Sequence, residues 1–536
     1  MQDSRGGTGP ARRRMGPRRL LAGTWRPALA GLLAAGVAIA ASELVAGGVQ
    51  GAPSLVTAMG SLVISLQPPG AKDVMVSLFG TNDKLALNVA VVVVALVVAA
   101  VAGVLAARRR WIGVVVVVAF GVLAGAAGLR DPLSTPSLAV VNAGVAVAAG
   151  LVTLLVLLAL AERTGARTGP GDWEPDRNTP EWTRRRFLIA SAGTVGGVIV
   201  AGGAGRYLVD QAHSNEIISS TKIPAPLQAV PPLTADQILT APGLTPIVVP
   251  NGDFYRIDTA LLVPRVDPAT WKLDVTGMVD HPLTFTYDEL LAMPLFEQYV
   301  TISCVSNVVG GTLVGNALWT GVRLKDVLQA AGVQAGATQI VGRSVDGFTV
   351  GFPTSWAMAP EREPMIAVGM NREPLPANHG FAARLIAPGL YGYVSATKWL
   401  SEIQLTTREA VDGYWVPLGW AKDGPILTQS RIDLPATGAS VPAGVVQVGG
   451  VAWAPDRGVT AVQLRVDGGA WQNAAISRPI SKATWVQWVL PWTATPGQHS
   501  LEVEAIDGTG VVQTDQVTSP APDGARGHHR ITVSVT

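Results

Sequence analysis

The sequence predicts three parts in order: a multi-pass α-helical membrane region, an α+β unit, and a C-terminal all-β sandwich. Three observations carry that prediction. Residues 27–161 are mostly Ala, Val, Leu and Gly. After about residue 213 the chain takes on the Trp, Asp, Pro and alternating apolar residues of a globular protein. From about residue 436 it changes again, to short alternating segments separated by turns. Whole-chain figures conceal this division. The 48% apolar content of the 536 residues averages two unlike halves, and only the 15% charged content, against roughly 25% in soluble domains, hints at it.

A helix needs roughly 20 apolar residues to cross a hydrocarbon layer of about 30 Å. Segments 27–47, 85–106, 111–129 and 137–161 meet that length, and the Gly-rich 187–205 is a fifth candidate. The apolar stretch 53–66 is short and runs into Pro68-Pro69-Gly70, so it reads as interfacial. Arginine placement tests the count, because cytoplasmic loops collect Lys and Arg. Five crossings put Arg12–Arg14 with Arg18 and Arg19, then Arg108–Arg110, then Arg163, Arg167, Arg177 and Arg184–Arg186 on one side. Residues 206–536 fall on the other, extracytoplasmic side of the cell membrane. A sixth crossing at 53–66 would spoil this agreement. The stretch Thr183-Arg184-Arg185-Arg186-Phe187-Leu188 resembles the twin-arginine export signal, which serves proteins that fold before export. The bland alternative is that its arginines flank a membrane helix and do nothing more.

Residues 213–250 are Pro-rich and aperiodic, so they read as a linker or extended arm. The α+β unit is expected over 251–435. Trp271–Val275 alternates like a strand, Thr286–Leu291 looks like a capped short helix, and Gly321–Leu328 reads as a turn into a helix. In the final part, 436–536, Ala461–Gly469 carries an Asp-Gly turn and Leu501–Gly508 alternates, as expected of a β-sandwich of about 100 residues.

Composition also excludes. The single cysteine, Cys304, rules out an intrachain disulfide, a multi-cysteine zinc site and a protein-held iron–sulfur cluster. Residues 1–212 contain no histidine, so they offer no bis-histidine haem site. No basic stripe with interleaved aromatics suggests nucleic-acid binding. Few ionisable residues lie in the four long apolar segments, Glu43 being the exception, which disfavours an ion or proton path.

The run His379-Gly380-Phe381-Ala382-Ala383-Arg384, followed by Pro388-Gly389, Gly392 and Lys398-Trp399-Leu400, resembles the molybdopterin domain of the sulfite oxidase family. Ile302–Asn307 resembles that family's cysteine loop, and Ala317–Leu324 its following helix entry. Trp485, Trp488, Trp492, Pro496-Gly497 and Asp507-Gly508 resemble its C-terminal immunoglobulin-like domain. The resemblance covers residues 245–536. It implies a molybdenum–molybdopterin cofactor and a reaction that moves an oxygen atom and two electrons. It implies Cys304 as the metal's thiolate ligand, a soft donor for a soft metal, where an isolated Cys would otherwise read as a small buried hydrophobe. It places His379, Arg384, Thr397 and Lys398 in the cofactor shell. Asn251, Tyr255, Arg256, Ser344 and Asp346 fall where the family has further contacts, with Tyr255 and Arg256 also at the catalytic centre. It implies homodimer contacts through the C-terminal domain.

The sequence departs from the family after Cys304, where Val305-Ser306-Asn307-Val308-Val309 carries no basic residue. Arg256 is displaced by one position from the family's arginine. A sulfite dianion calls for a cationic pocket, so the substrate is a small oxyanion or an S- or N-oxide that is reduced. A binding protein that kept the fold without the cofactor is the rival of another class. An enzyme with no haem motif or cluster of its own needs a separate redox partner, a cytochrome or a quinone-linked membrane protein.

The five-crossing topology makes a direct prediction. Fusions of a cytoplasm-active reporter should work after residues 109 and 175, and an export-active reporter after 132 and 240. Export activity at 175 would overturn both the topology and the outside placement of residues 206–536.

Overall fold

The computed structural model describes residues 24–66, 83–162, 181–212, 221–359 and 361–536. The chain divides into two compact units, Met1–Ala212 and His213–Thr536. The arginines at 12–19, 163, 167 and 177 lie outside the described residues.

The first unit is helical: α1 Trp25–Gly48, α2 Leu55–Leu66, α3 Asp83–Arg108, α4 Arg110–Gly128, α5 Pro136–Glu162 and α6 Glu181–Ala212. All but α2 are long and apolar enough to cross a membrane. At 1.5 Å per residue α2 reaches only about 18 Å. Helix α6 is longer at both ends than segment 187–205 and takes in Arg184–Arg186. Arg109 breaks the chain between α3 and α4 in an extended conformation. Helix α1 packs against α3, α5 and α6. Small residues permit this. A Cβ on Gly31 would sit 2.0 Å from the Ala99 carbonyl oxygen, and one on Gly103 2.1 Å from that of Pro27. Where hydrocarbon surrounds helices, such backbone contact replaces the hydrophobic drive of water. Polar side chains join the bundle too. Ser54 Oγ donates to Glu43 Oε1 at 2.7 Å, and Asn142 Nδ2 donates to the carbonyls of Ser42 (3.3 Å) and Pro53 (2.9 Å).

The second unit opens with an arm. From residue 221 to 250 its only helical element is the 3-10 turn Ala235–Gln237. Val230 N–H donates to Glu297, Leu239 N–H to Gln487, and Ile247 and Val249 are buried in the main core. The proline-rich stretch is therefore held along both later parts of the unit. Next come β1 Lys272–Gly277, β2 Leu283–Thr286, β3 Leu295–Ser303, β4 Val314–Arg323, β5 Gln339–Ser344, β6 Thr349–Pro353, β7 Met365–Met370, β8 Glu373–Pro374, β9 Arg384–Ile386 and β10 Leu400–Thr406. One sheet runs β2-β1-β10-β5-β6, with β1 and β10 parallel. A second runs β3-β4-β7-β8, with β9 beside β7. In β1 Leu273 and Val275 face the core while Lys272 is exposed, the alternation expected there. The helix Tyr287–Ala292 has its capping box, with Thr286 Oγ1 accepting from Glu289 N–H, a cap that contributes about 1 kcal/mol.

One expectation fails. Gly321–Arg323 is no turn but the end of β4, and the helix begins only at Leu324. Strand β4 pairs with β3 on one side and β7 on the other, and every residue from Val314 to Val322 is buried. A strand covered on both faces loses its period of two and resembles the lead into a helix.

The remaining chain builds two more sheets. The first runs β11 (Gln429–Leu434), β13 (Gly444–Trp453), β17 (Val486–Ala494), β16 (Ala475–Ile476). The second runs β12 (Ser440–Val441), β19 (His529–Val535), β18 (Gly497–Asp507), β14 (Val459–Val466), β15 (Gln472–Asn473). They share a core that includes Val448, Val462, Trp488, Leu501, Val503 and Val533. Asp467 and Gly468 both take positive φ, 52° and 70°, the conformation an Asp-Gly hairpin turn requires.

Candidate active site

Strand β3 ends at Ser303 and delivers Cys304 to a loop that returns at β4. Cys304 N–H donates to the Leu313 carbonyl at 2.9 Å, which closes the loop at its base. The Cys304 sulfur lies 2.9 Å from Ser306 Oγ. At Gly310, with φ of 73°, a Cβ would come within 2.3 Å of His529 ring atoms, and Arg431 donates to the Gly311 carbonyl. Strands β11 and β19 thus brace the loop from behind.

The residues of the His379 run sit close together. His379 ends the 3-10 turn Ala377–His379, Arg384 opens β9, and Thr397 and Lys398 precede β10. His379 Nε2 is 3.0 Å from the Asn251 carbonyl. A carbonyl can only accept, so Nε2 carries the proton and Nδ1 is left as an acceptor. Burial pushes the imidazole pKa down to about 3, assisted by the nearby Arg384 and Lys398 charges; the ring is neutral at pH 7. Arg384 is buried, donates to the His379 carbonyl at 3.3 Å, and lies 5.2 Å from the Trp319 ring centroid. Burial lowers its pKa to about 10, still charged at pH 7. Lys398, also buried, donates to Asp258 Oδ2 (3.1 Å) and to the Asn378 carbonyl (2.9 Å). Burial pushes its pKa down to about 8 against the pull of Asp258.

The other predicted residues join through the arm and one hairpin. Tyr255 stacks on Phe254, and Phe254 meets the His379 ring edge-on at 5.6 Å. Burial, with Cys304 close by, raises the Tyr255 phenol, which stays protonated and able to donate. Arg256 is more exposed and pairs with Asp258 at 2.9 Å. Ser344 and Asp346 form the β5–β6 turn: Ser344 Oγ accepts from Asp346 N–H and Asp346 Oδ1 from Phe348 N–H. Burial raises the Asp346 pKa. The Asn251 side chain is committed elsewhere. Its amide nitrogen donates to Met370 and Glu373, and its oxygen accepts from Asn371. It therefore acts on the site through its carbonyl, by fixing His379.

Sequence reading missed Asp258, which bridges Arg256 and Lys398, and Trp319 beneath Arg384. The Lys398–Asp258 and Arg384–Trp319 pairings leave no local signal, because the partners are far apart in the chain. It also missed Asn371, Ser306 and His529.

Residues 260–415 match the family described as an oxidoreductase molybdopterin binding domain. The chain is 35% identical over 158 residues to the uncharacterized oxidoreductase YuiH of Bacillus subtilis, covering 30% of this chain and 76% of that one. It is 31% identical over 339 residues to mitochondrial sulfite oxidase of Homo sapiens, covering 54% of this chain and 61% of that one. The chain belongs to the sulfite oxidase family. Against NADH nitrate reductase 1 of Oryza sativa subsp. japonica the identity is 28% over 312 residues, covering 46% of this chain and 32% of that protein. The chain thus spans less than two thirds of the length of the sulfite oxidases it matches.

Residues 260–415 match a molybdopterin binding domain, and the site can be tested for fit to a molybdenum–molybdopterin cofactor. Among the described residues, the buried polar atoms left without a partner include His379 Nδ1, Arg384 Nε and Thr397 Oγ1. An unmet buried polar group costs about 1–3 kcal/mol. These three comprise an acceptor, a charged donor and a hydroxyl able to do either, so they suit a group with both donors and acceptors and an anionic tail. A pterin carrying a phosphate tail is such a group. The donor set fits the sulfite oxidase family's cofactor.

Two predictions follow from this geometry. Arg384→Ala should lower molybdenum per protein, with turnover falling in proportion; a fully loaded, slow variant would move Arg384 toward the substrate. In cofactor-free protein, His379 should make folding acid-sensitive. The unfolded imidazole takes up a proton near pH 6.5 while the folded one resists it to about 3, so the unfolded state binds more protons in between. Stability should then fall as pH drops from 6.5 toward 3, with a slope of up to about 1.4 kcal/mol per pH unit from this group. Thermal unfolding of His379→Gln across that range should show a shallower slope, and an unchanged slope would refute the assignment.

Proposed function

We propose that the protein is a membrane-anchored molybdenum oxidoreductase that transfers an oxygen atom outside the cytoplasm. The observation that carries this is the set of three buried, unpartnered polar atoms on His379, Arg384 and Thr397, with Tyr255 close to both Arg384 and Cys304. The bound cofactor supplies a two-electron metal centre that exchanges an oxo group with substrate. Cys304 would give that metal its protein thiolate. Arg384, Lys398, Thr397 and His379 would hold the pterin and its tail, with Arg384 offering the planar, forked donor geometry that suits phosphate. Ser344, Asp346 and Asn251 would shape the pocket through the turn and the His379 tautomer. Tyr255 would present a protonated phenol beside the metal ligand, and Arg256 a cation at the mouth.

Sulfite is one substrate in keeping with the family. A second reading, reduction of an S- or N-oxide, is favoured by the Cys304 loop, whose residues 305–309 are uncharged, and by Asp258, which offsets both Arg256 and Lys398. A neutral oxide asks less of a cationic pocket than a dianion does. The five long helices anchor the enzyme, with Arg184–Arg186 serving as an export signal. The C-terminal sheets form an immunoglobulin-like domain suited to homodimer contacts. Electrons pass to or from a separate membrane partner, a cytochrome or a quinone-linked protein.

Metal analysis of the purified full chain should give molybdenum near one per protein; none would leave a cofactor-free binding protein. Cys304→Ser should abolish turnover with an artificial electron carrier, because an alcohol is a poor substitute for thiolate on a soft metal. Most of the wild-type rate in that variant would refute the ligand. Assaying sulfite against sulfoxides and N-oxides with the same carrier decides the direction.

A further inference from the structure

The Cys304 sulfur has a neighbour that the catalytic reading leaves without a part. Ser306 lies two residues on, and its Oγ is 2.9 Å from the sulfur. The turn that contains both residues holds them there. Asn307 N–H donates to the Cys304 carbonyl at 3.1 Å, which closes the turn. Leu313 grips it at both ends. The Leu313 carbonyl accepts from Cys304 N–H, and Leu313 N–H donates to Asn307 Oδ1, each at 2.9 Å. A Cβ at Gly311 would come within 2.5 Å of Asn307 Oδ1, so glycine there lets the loop close this tightly. The backbone thus keeps the hydroxyl and the sulfur side by side.

Either atom can donate while the cysteine is a thiol. The form that binds a metal is the thiolate, which has no proton, so in that form Ser306 must be the donor. The bond is then charge-assisted. We propose that Ser306 donates to the Cys304 thiolate and thereby raises the reduction potential of the metal that this thiolate would hold. The proposal rests on Cys304 being the metal's ligand. Its direction follows from charge. A sulfur ligand is more negative when its metal is reduced. A hydrogen bond to that sulfur is therefore stronger in the reduced state and favours it. Ser306 acts through the ligand, as a positioning residue, and has no contact with substrate to make. Ser303 supplies the comparison inside the same loop. Its Oγ donates to the Cys304 carbonyl at 3.3 Å, so it touches the same residue away from the sulfur.

The test is a redox titration of the full, molybdenum-loaded chain, followed by the molybdenum EPR signal. At a fixed potential, Ser306→Ala should move the one-electron molybdenum couple about three- to tenfold toward its oxidised form, a fall in midpoint of roughly 30–60 mV. Ser306→Gly, which also removes the donor, should do the same. Ser306→Thr keeps the hydroxyl and should restore the wild-type midpoint. Ser303→Ala should leave it unchanged. Molybdenum per protein and thermal unfolding should match wild type in all four variants. An unchanged midpoint in Ser306→Ala and Ser306→Gly would overturn the proposal. A similar fall in Ser303→Ala or Ser306→Thr would overturn it too, because the effect would then be one of loop packing. Loss of molybdenum or of folding in both donor-free variants would replace it with a purely structural role for Ser306. Wild-type chain that holds no molybdenum, or Cys304→Ser with the wild-type signal and midpoint, would instead bring down the ligand assignment beneath it.

Discussion

Two buried cations, only one of them paired directly with a buried carboxylate, set the terms for the catalytic half of this protein. Arg384 and Lys398 have both been taken out of water, and burial drags both pKa values downward. Asp258 answers Lys398 directly and Arg256 as well. Arg384 donates only to a carbonyl and lies over an aromatic face. Desolvating a charge costs several kcal/mol even after relaxation. The fold maintains that arrangement by locking each residue at the end of a strand or in a short turn. An anion placed there would recover most of the expense, and so binding and folding are coupled through the same groups.

Neutral His379 belongs to the same economy. A third cation beside Arg384 and Lys398 would be intolerable, and the Asn251 carbonyl settles which nitrogen bears the proton. Asn251 can do this because Met370, Glu373 and Asn371 hold its side chain rigidly. The irregular stretch that follows the arm is therefore part of the site.

Much of this was legible in the sequence, and the reasons differ by element. The long helices are visible because length and apolarity suffice to specify them, and the short apolar stretch at 55–66 fails on length alone. Strand β1 and the Thr286 cap follow from local patterns. Strand β4 was misread at its end because a strand buried on both faces shows no alternation. His379, Arg384 and Lys398 were singled out through a recognisable run of residues, and the fold brings them close together. Asp258 was not singled out, since its meaning depends on Lys398, which approaches only when the sheet closes. Single-residue carboxylates whose partner comes from a distant segment have no signature before folding.

The loop that carries Cys304 is backed by His529 on β19 and by Arg431 on β11. The cysteine leaves the ribosome long before either of these supports exists. During synthesis the loop lacks the walls that give it shape until the later strands β11 and β19 have been made. The shape around the thiol is thereby a property of two distant strands, and a chain that has not yet formed them offers the thiol without that geometry.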